Sequence, residues 1–361
     1  MMKGYAGNGN GNGPIEDMNV IRYESLITPY QLKENVPLTD SAQKTVREGR
    51  RAIKAILGGD DRIFIVHGPC SIHNVEEGME YAHRVNELQK RVNERLVLVM
   101  RAYVEKPRTT VGWKGLIYEP RLDGQQDFNH GLYVARTFLR DVAEMGIPTG
   151  TEFLDPFVPQ YTSDTVSWGA IGARTIESPK HREMASGFSM PLGLKNPRDG
   201  DIADAVNAAV TVRYGQVFLG IDPMGVPSVV YSKGNPNARI LLRGGKDGPN
   251  YHRESVEEAQ AMLREAKLDD RLMIDCSHGN SNKNHRQQPV VFEDVIGQIV
   301  GGNKGIIGLM LESNIREGNQ KIPKDLSQLM YGVSVTDACI GWEETEKLIL
   351  EAYKALQKKA A

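Results

Sequence analysis

Short apolar runs alternate along this chain with longer stretches in which apolar residues recur every three or four positions. The short runs are Ile63–His67, Leu96–Arg101, Ile147–Glu152, Ala170–Arg174, Met190–Lys195, Gln216–Asp222, Arg271–Cys276 and Gly305–Glu312. Without polar alternation they read as strands buried on both faces, the pattern of a parallel sheet. The stretches between them, such as Val75–Val92, Asn129–Met145, Asp201–Arg213, Arg253–Ala266 and Phe292–Val300, have helical spacing. Eight strand–helix units in 361 residues predict an α/β protein with a (β/α)8 TIM barrel more than a doubly wound sheet. Between 222 and 243 the rhythm breaks. There Val226–Tyr231 and Ala238–Leu242, joined through Gly234-Asn235-Pro236, read as an inserted β-hairpin before the seventh strand. A last helix over Glu343–Lys358 closes the barrel.

Three segments follow from this pattern. Residues 1–19 contain an alternating Gly/Asn run at 7–13, which cannot bury apolar surface and predicts a flexible tail. Residues 20–60 form an N-terminal extension whose Val46, Ala52, Ile53, Ile56 and Leu57 lie at helical spacing ahead of Gly58-Gly59. Residues 61–361 hold the barrel, with no second domain and no internal repeat.

Composition narrows the function. The chain is 40% apolar and 25% charged, with a formal charge of −2, so it lacks the electrostatic footprint of a nucleic-acid or membrane-surface binder. No window approaches the ~20 apolar residues of a membrane span, and no signal-like N-terminus is seen, so a cytoplasmic location is expected. Cys70, Cys276 and Cys339 are too few for a disulfide framework.

In a barrel of this kind the chemistry sits where strands finish, because all eight C-terminal ends open on one face. Those ends carry Cys70, Arg101 with Lys106 and Arg108, Glu152, Arg174, Lys195, Arg243, Asp275 with His278, and Glu312, with Asp337 in the loop before the last helix. Arg101, Lys106, Arg108, Arg174, Lys195 and Arg243 are six cations at one mouth, enough for two phosphorylated or carboxylated ligands. Cys70, His278, Glu312 and Asp337 offer a thiolate, an imidazole and two carboxylates, a mixed donor set for one divalent Mn, Fe, Co or Zn ion. By spacing alone this second set is weak, since its members lie far apart in the chain. The other histidines, His285 among them, have no comparable context, and Trp113 and Trp168 read as packing.

At these residues the chain resembles the type I 3-deoxy-D-arabino-heptulosonate 7-phosphate (DAHP) synthases, from about residue 20 to the last helix. The motifs are Gly68-Pro69-Cys70-Ser71-Ile72-His73, Glu105-Lys106-Pro107-Arg108-Thr109-Thr110-Val111-Gly112-Trp113, Gly172-Ala173-Arg174-Thr175, Leu242-Arg243-Gly244-Gly245, Asp275-Cys276-Ser277-His278 and Thr336-Asp337-Ala338-Cys339. The resemblance implies condensation of phosphoenolpyruvate with D-erythrose 4-phosphate and water, giving DAHP and phosphate, the first step of the shikimate pathway. It implies that Cys70, His278, Glu312 and Asp337 hold the metal. Arg101, Lys106, Glu152, Arg174, Lys195 and Arg243 match the phosphoenolpyruvate site, and Arg108 and Thr109 the aldose phosphate. Catalytic roles fall on Lys106, Cys70 and His278, with Lys106, flanked by cations and expected to lose its proton easily, as the general acid. After Lys195-Asn196 the chain departs from the family, with Pro197-Arg198 in place of Gly-Thr.

Family members are homo-oligomers inhibited by an aromatic amino acid, so a homodimer or homotetramer is expected, with the extension and hairpin as subunit contacts. Asp155-Pro156, Ser189-Met190 and Gly332-Val333-Ser334-Val335 are most similar to tyrosine-sensitive members. Pro159, Gln160, Ser189 and Phe218 match the inhibitor pocket. Three alternatives stay open: a 3-deoxy-D-manno-octulosonate 8-phosphate synthase-like enzyme using arabinose 5-phosphate, a metal-dependent aldolase, and a non-catalytic phosphosugar-binding module.

Overall fold

The computed structural model describes residues 15–108 and 112–360. Ten strands run through it: β1 Ile63–Gly68, β2 Leu96–Arg101, β3 Thr149–Glu152, β4 Trp168–Ile171, β5 Leu192–Lys195, β6 Val217–Ile221, β7 Pro227–Tyr231, β8 Ala238–Leu242, β9 Leu272–Asp275 and β10 Ile306–Glu312. Eight of them close a parallel barrel in the order β1-β10-β9-β8-β5-β4-β3-β2, and β6 and β7 form a separate antiparallel pair. Most of the tail assigned to residues 1–19 lies outside the described residues.

The barrel bears out the alternation of apolar runs, with one exchange of strands. The run Val217–Ile221 is not the sixth barrel strand. It pairs with Pro227–Tyr231 in register Val217↔Tyr231, while Ala238–Leu242 enters the barrel between β5 and β9. The hairpin therefore precedes the sixth barrel strand, not the seventh. Burial explains the exchange: β8 is covered along most of its length, whereas alternate residues of β6 face solvent. The Gly234-Asn235-Pro236 turn is used differently as well. Asn235 donates from its side chain to the Met190 carbonyl (2.9 Å), tying the segment ahead of β8 to the segment ahead of β5.

Period-two alternation sorts the barrel strands into an outer face, under the helices, and an inner face. Phe64, Val66, Val97, Val99, Trp168, Ala170, Leu241, Met273 and Met310 make one internal cluster. Trp168 fills the middle, and Gly150 and Gly193 give it room: a Cβ on Gly193 would lie 2.3 Å from the indole. The helix Asp40–Leu57 plugs the N-terminal mouth, with Ile53, Ile56 and Leu57 joining this cluster. Several helix starts carry a side-chain cap; the Asn74 side chain, for example, accepts from the Glu76 and Glu77 N–H groups ahead of Val75–Val92.

Candidate active site

Continuing the inner-face alternation by one more step on each strand names the floor of the open mouth. Val66 leads to Gly68, Val99 to Arg101, Gly150 to Glu152, Ala170 to Gly172, Gly193 to Lys195, Leu241 to Arg243, Met273 to Asp275 and Met310 to Glu312. Six of the eight are charged and buried. The other two are glycines because the neighbouring strand's backbone or a carboxylate occupies the space. A Cβ on Gly68 would sit 2.8 Å from the Arg101 carbonyl oxygen, and one on Gly172 would sit 2.0 Å from Glu152 Oε1.

On one side of this layer the charges satisfy one another. The Arg101 guanidinium donates to Glu312 (2.8 Å) and to the Pro69 and Cys70 carbonyls (both 3.2 Å), and stacks 3.5 Å from the Tyr103 ring. Lys106 Nζ donates to the Cys70 carbonyl (3.0 Å) and lies 3.2 Å from its Sγ. Cys70 Sγ and carboxylate oxygens of Glu312 and Asp337 lie within 4.8 Å of one another. His278 joins them: its Nε2 is 3.7 Å from Glu312 Oε1, while its Nδ1 faces Asp275 Oδ2 at 2.9 Å. A carboxylate that holds one ring nitrogen and leaves the other aimed at a donor cluster orients an imidazole for metal binding. One sulfur, one nitrogen and two carboxylates fit a divalent transition ion.

The protonation states agree with that fit. Burial favours the neutral form of Glu312, yet His278, Arg101 and Lys106 outweigh it and hold its pKa down to about 2. Burial pushes the Cys70 thiol up, so thiolate at neutral pH calls for a bound cation. The expected ease of deprotonating Lys106 is corrected here. Burial and Arg101 disfavour its charge, but negative charge at Cys70 and Glu312 raises its pKa above the ordinary lysine value. A charged Lys106 remains a proton donor.

The opposite side is built from cations. A cleft of about 300 Å³ is lined by Glu152, Arg174, Lys195, Arg198, Arg243, Lys283 and the donor-cluster groups His278, Glu312 and Asp337. Lys195 is buried against Asp275 (2.8 Å), whose carboxyl the Lys195 and His278 charges hold well below the usual range despite its burial. Among the described residues Arg243 has no such ion pair. Its backbone N–H donates to Asn196 Oδ1 (2.8 Å), and its guanidinium donates to the Gly244 carbonyl (3.1 Å).

With this geometry in view, comparison with known proteins is decisive. The family model "DAHP synthetase I family" matches residues 35–350. The Tyr-sensitive phospho-2-dehydro-3-deoxyheptonate aldolase of Escherichia coli (strain K12) is 48% identical over 95% of this chain and 96% of its own length. The Trp-sensitive protein of that strain is 46% identical over 95% and 99%. The structure of phospho-2-dehydro-3-deoxyheptonate aldolase from Francisella tularensis SCHU S4 superposes with a TM-score of 0.92 at 44% identity, covering 94% of this chain and 99% of that one.

The chain belongs to the DAHP synthetase I family.

The expectations of a type I DAHP synthase, an enzyme of aromatic amino acid biosynthesis built on a TIM barrel, are thereby borne out. Among the described residues no helix is long and apolar enough to cross a membrane. Within this DAHP synthase fold the structure brings Cys70, Arg101, Lys106, Glu152, Arg174, Lys195, Arg243, His278, Glu312 and Asp337 to one mouth. Arg108, just after Lys106, is exposed and donates from Nε to the Trp113 carbonyl (2.8 Å). Thr109 lies outside the described residues. Pro159 and Gln160 sit in the short helix Val158–Thr162 after β3, whereas Phe218 on β6 lies near Gly187, two residues before Ser189.

Two contributors escaped the strand-end reading. His285, without distinctive sequence context, lines the cleft and faces Glu317 at 3.6 Å. Gln288, buried, clamps Glu312 by accepting from its N–H (2.8 Å) and donating to its carbonyl (3.0 Å). Both stand beyond the β9 loop, where His278, Asn282 and Lys283 all take positive φ. Such a cluster of strained non-glycine residues marks functional loops, but it is not visible from residue types.

Proposed function

We propose that the cleft joins phosphoenolpyruvate and D-erythrose 4-phosphate to form DAHP and orthophosphate with one divalent metal ion. The observation that carries this reading is the layer of six charged strand ends, with Glu312 and Arg101 at a donor cluster and Lys195 and Arg243 lining a cationic cleft. Arg174, Lys195 and Arg243 receive the phosphoryl and carboxylate groups of phosphoenolpyruvate, with Arg101 and Glu152 fixing its orientation. Arg108 and Thr109, on the loop after Lys106, take the phosphate of the aldose. Cys70, His278, Glu312 and Asp337 hold the ion, which when bound polarises the aldehyde as a Lewis acid.

C3 of phosphoenolpyruvate forms the new bond to the aldehyde carbon, and the electron pair of the C=O bond becomes an alkoxide. Lys106 supplies the proton to that oxygen. Water adds to the cationic C2 and gives up one proton, which replaces the one Lys106 supplied. The remaining C2–OH becomes the ketone as the bond from C2 to the phosphate oxygen breaks, and its proton leaves with orthophosphate. The test follows phosphoenolpyruvate loss in the presence of erythrose 4-phosphate, with and without a chelator. Consumption that stops with chelation and returns with Mn, Fe, Co or Zn is expected. Equal turnover of arabinose 5-phosphate, or full activity after metal stripping, would refute the assignment.

We also infer feedback inhibition by tyrosine at Pro159, Gln160, Ser189 and Phe218, supported by the Tyr-sensitive names of the relatives at 48% identity. An inhibition series with Phe, Tyr and Trp at fixed substrate tests it; insensitivity to Tyr would overturn it. A homodimer or homotetramer is supported by the β6–β7 hairpin, where Leu219 and Tyr231 are 76% and 77% exposed, and by apolar Ile15, Ile21 and Tyr23 in the segment ahead of the barrel. Light scattering at working concentration would read a monomer if this face has no partner copy. Three free, buried cysteines support a reducing, cytoplasmic setting.

A further inference from the structure

The segment after β5 carries a cation for which the reaction has so far given no use. Residues 197–200 form a turn in which the Gly200 N–H donates to the Pro197 carbonyl (3.2 Å), with Arg198 at its second position. This turn is strapped to the end of β8. The Asn196 side chain donates to the Pro197 carbonyl (3.0 Å) and the Gly244 carbonyl (3.1 Å), and its Oδ1 accepts the Arg243 N–H (2.8 Å). The Lys246 N–H donates to the Asp199 carbonyl (3.1 Å). The backbones run so close that a Cβ on Gly245 would lie 2.3 Å from the Asp199 carbonyl oxygen. Arg198 is exposed, but its Cα is held in a fixed position beside Arg243.

Its charge is equally well defined. Arg198 lines the cleft together with Arg174, Lys195 and Arg243. The two acids nearest in sequence are engaged by backbone N–H groups: Asp199 Oδ1 accepts the Asp201 N–H, and Asp201 Oδ1 accepts the Ala203 N–H at the start of the next helix. No ion pair forms at Arg198 among the described residues. A guanidinium held next to other cations, without a carboxylate, lowers its own energy by meeting a multiply charged anion, and its planar fork suits two phosphate oxygens.

We propose that Arg198 captures the phosphoryl dianion on the phosphoenolpyruvate side of the cleft and meets the same chemical group again as departing orthophosphate. This rests on the reading above that phosphoenolpyruvate binds among Arg174, Lys195 and Arg243. The aldose phosphate, assigned to the loop after Lys106, is not served by it. Because Arg198 is exposed, its contribution is screened by salt over a Debye length of about 8 Å at physiological ionic strength.

The experiment compares the full chain with Arg198→Thr, Arg198→Ala and Arg198→Lys in steady-state kinetics over a KCl series. At low salt the Thr and Ala variants are expected to raise KM for phosphoenolpyruvate roughly three- to tenfold, the size of a partly exposed charge pair. Inhibition by added inorganic phosphate weakens by a similar factor, both differences narrow as KCl rises, and Arg198→Lys recovers part of each. KM for erythrose 4-phosphate and kcat move less than about twofold, since the charge acts on entry and not on the reacting atoms. Unchanged phosphoenolpyruvate KM at low salt overturns the proposal, even if phosphate inhibition shifts. A shift confined to the erythrose 4-phosphate KM overturns it too. Failure of the underlying reading is distinct: the unsubstituted protein would then not consume phosphoenolpyruvate with erythrose 4-phosphate at all.

Discussion

The two halves of the cleft solve opposite electrostatic problems. Around Cys70, the cations Arg101 and Lys106 are bonded to Glu312 and to the cysteine itself, so that half is nearly balanced before any ligand arrives. The half around Arg243 sets five cations against two buried acids, Glu152 and Asp275, and Asp275 is already committed to Lys195 and His278. That half stays positive. A balanced cluster holds shape and tunes protonation; an unbalanced one selects a dianion and lets it leave once its charge has changed.

Breaking the balanced half should produce the largest losses. Cys70→Ala removes the sulfur donor and is expected to lower turnover by far more than the ~100-fold that second-shell changes reach, with metal content falling in elemental analysis while the circular dichroism spectrum persists. Lys106→Met should cut kcat about 10²- to 10⁴-fold with a smaller change in either KM; near-normal kcat at saturation would remove it as the proton donor. Asp275→Asn touches both halves, loosening His278 and leaving Lys195 buried without its counter-charge. Metal affinity is expected to fall roughly 10- to 100-fold, read by competition with a chelating dye, alongside a loss of up to about 3–5 kcal/mol in denaturant-measured stability.

The smallest effect concerns pH. His67 on β1 and His73 just beyond Cys70 are buried, and burial holds their pKa values down to about 3 and about 4. A depressed pKa means that the unfolded chain, with histidines near ~6.5, takes up protons first. Their contribution is complete above that value and is lost as pH falls toward 4 and then 3. Denaturant midpoints should be level above about pH 7 and decline steadily below about pH 6. His67→Phe should flatten part of that slope; an unchanged slope would place the acid sensitivity elsewhere.

Much of the site was legible because strand ends and inner-face parity coincide. Arg101, Glu152, Lys195, Arg243 and Glu312 each finish an apolar run, and each proved to be the next inward position of its strand. The misassigned sixth strand shows the limit. Val217–Ile221 is as apolar as a buried strand, yet half of it faces solvent, because apolar composition reports burial of some kind and not which surface provides it. Gly234-Asn235-Pro236 has turn residues without closing a hairpin. His285 and Gln288 could not be found locally, since their roles depend on contacts with Glu317 and Glu312 more than twenty residues away. Arg198 stood out only as a departure from the family motif, and its position beside Arg243 depends on the Asn196 strap.

The floor of eight strand ends has one more implication, for how the gene tolerates change. Every functional group in it is addressed by odd or even count along a strand, so a single inserted codon within β2 or β10 would aim Arg101 or Glu312 into the helical shell. Two inserted codons would restore the aim at the wrong height. Length variation is therefore confined to the loops, and the reactive end of this enzyme is protected against frame-preserving insertions by geometry before selection on activity acts.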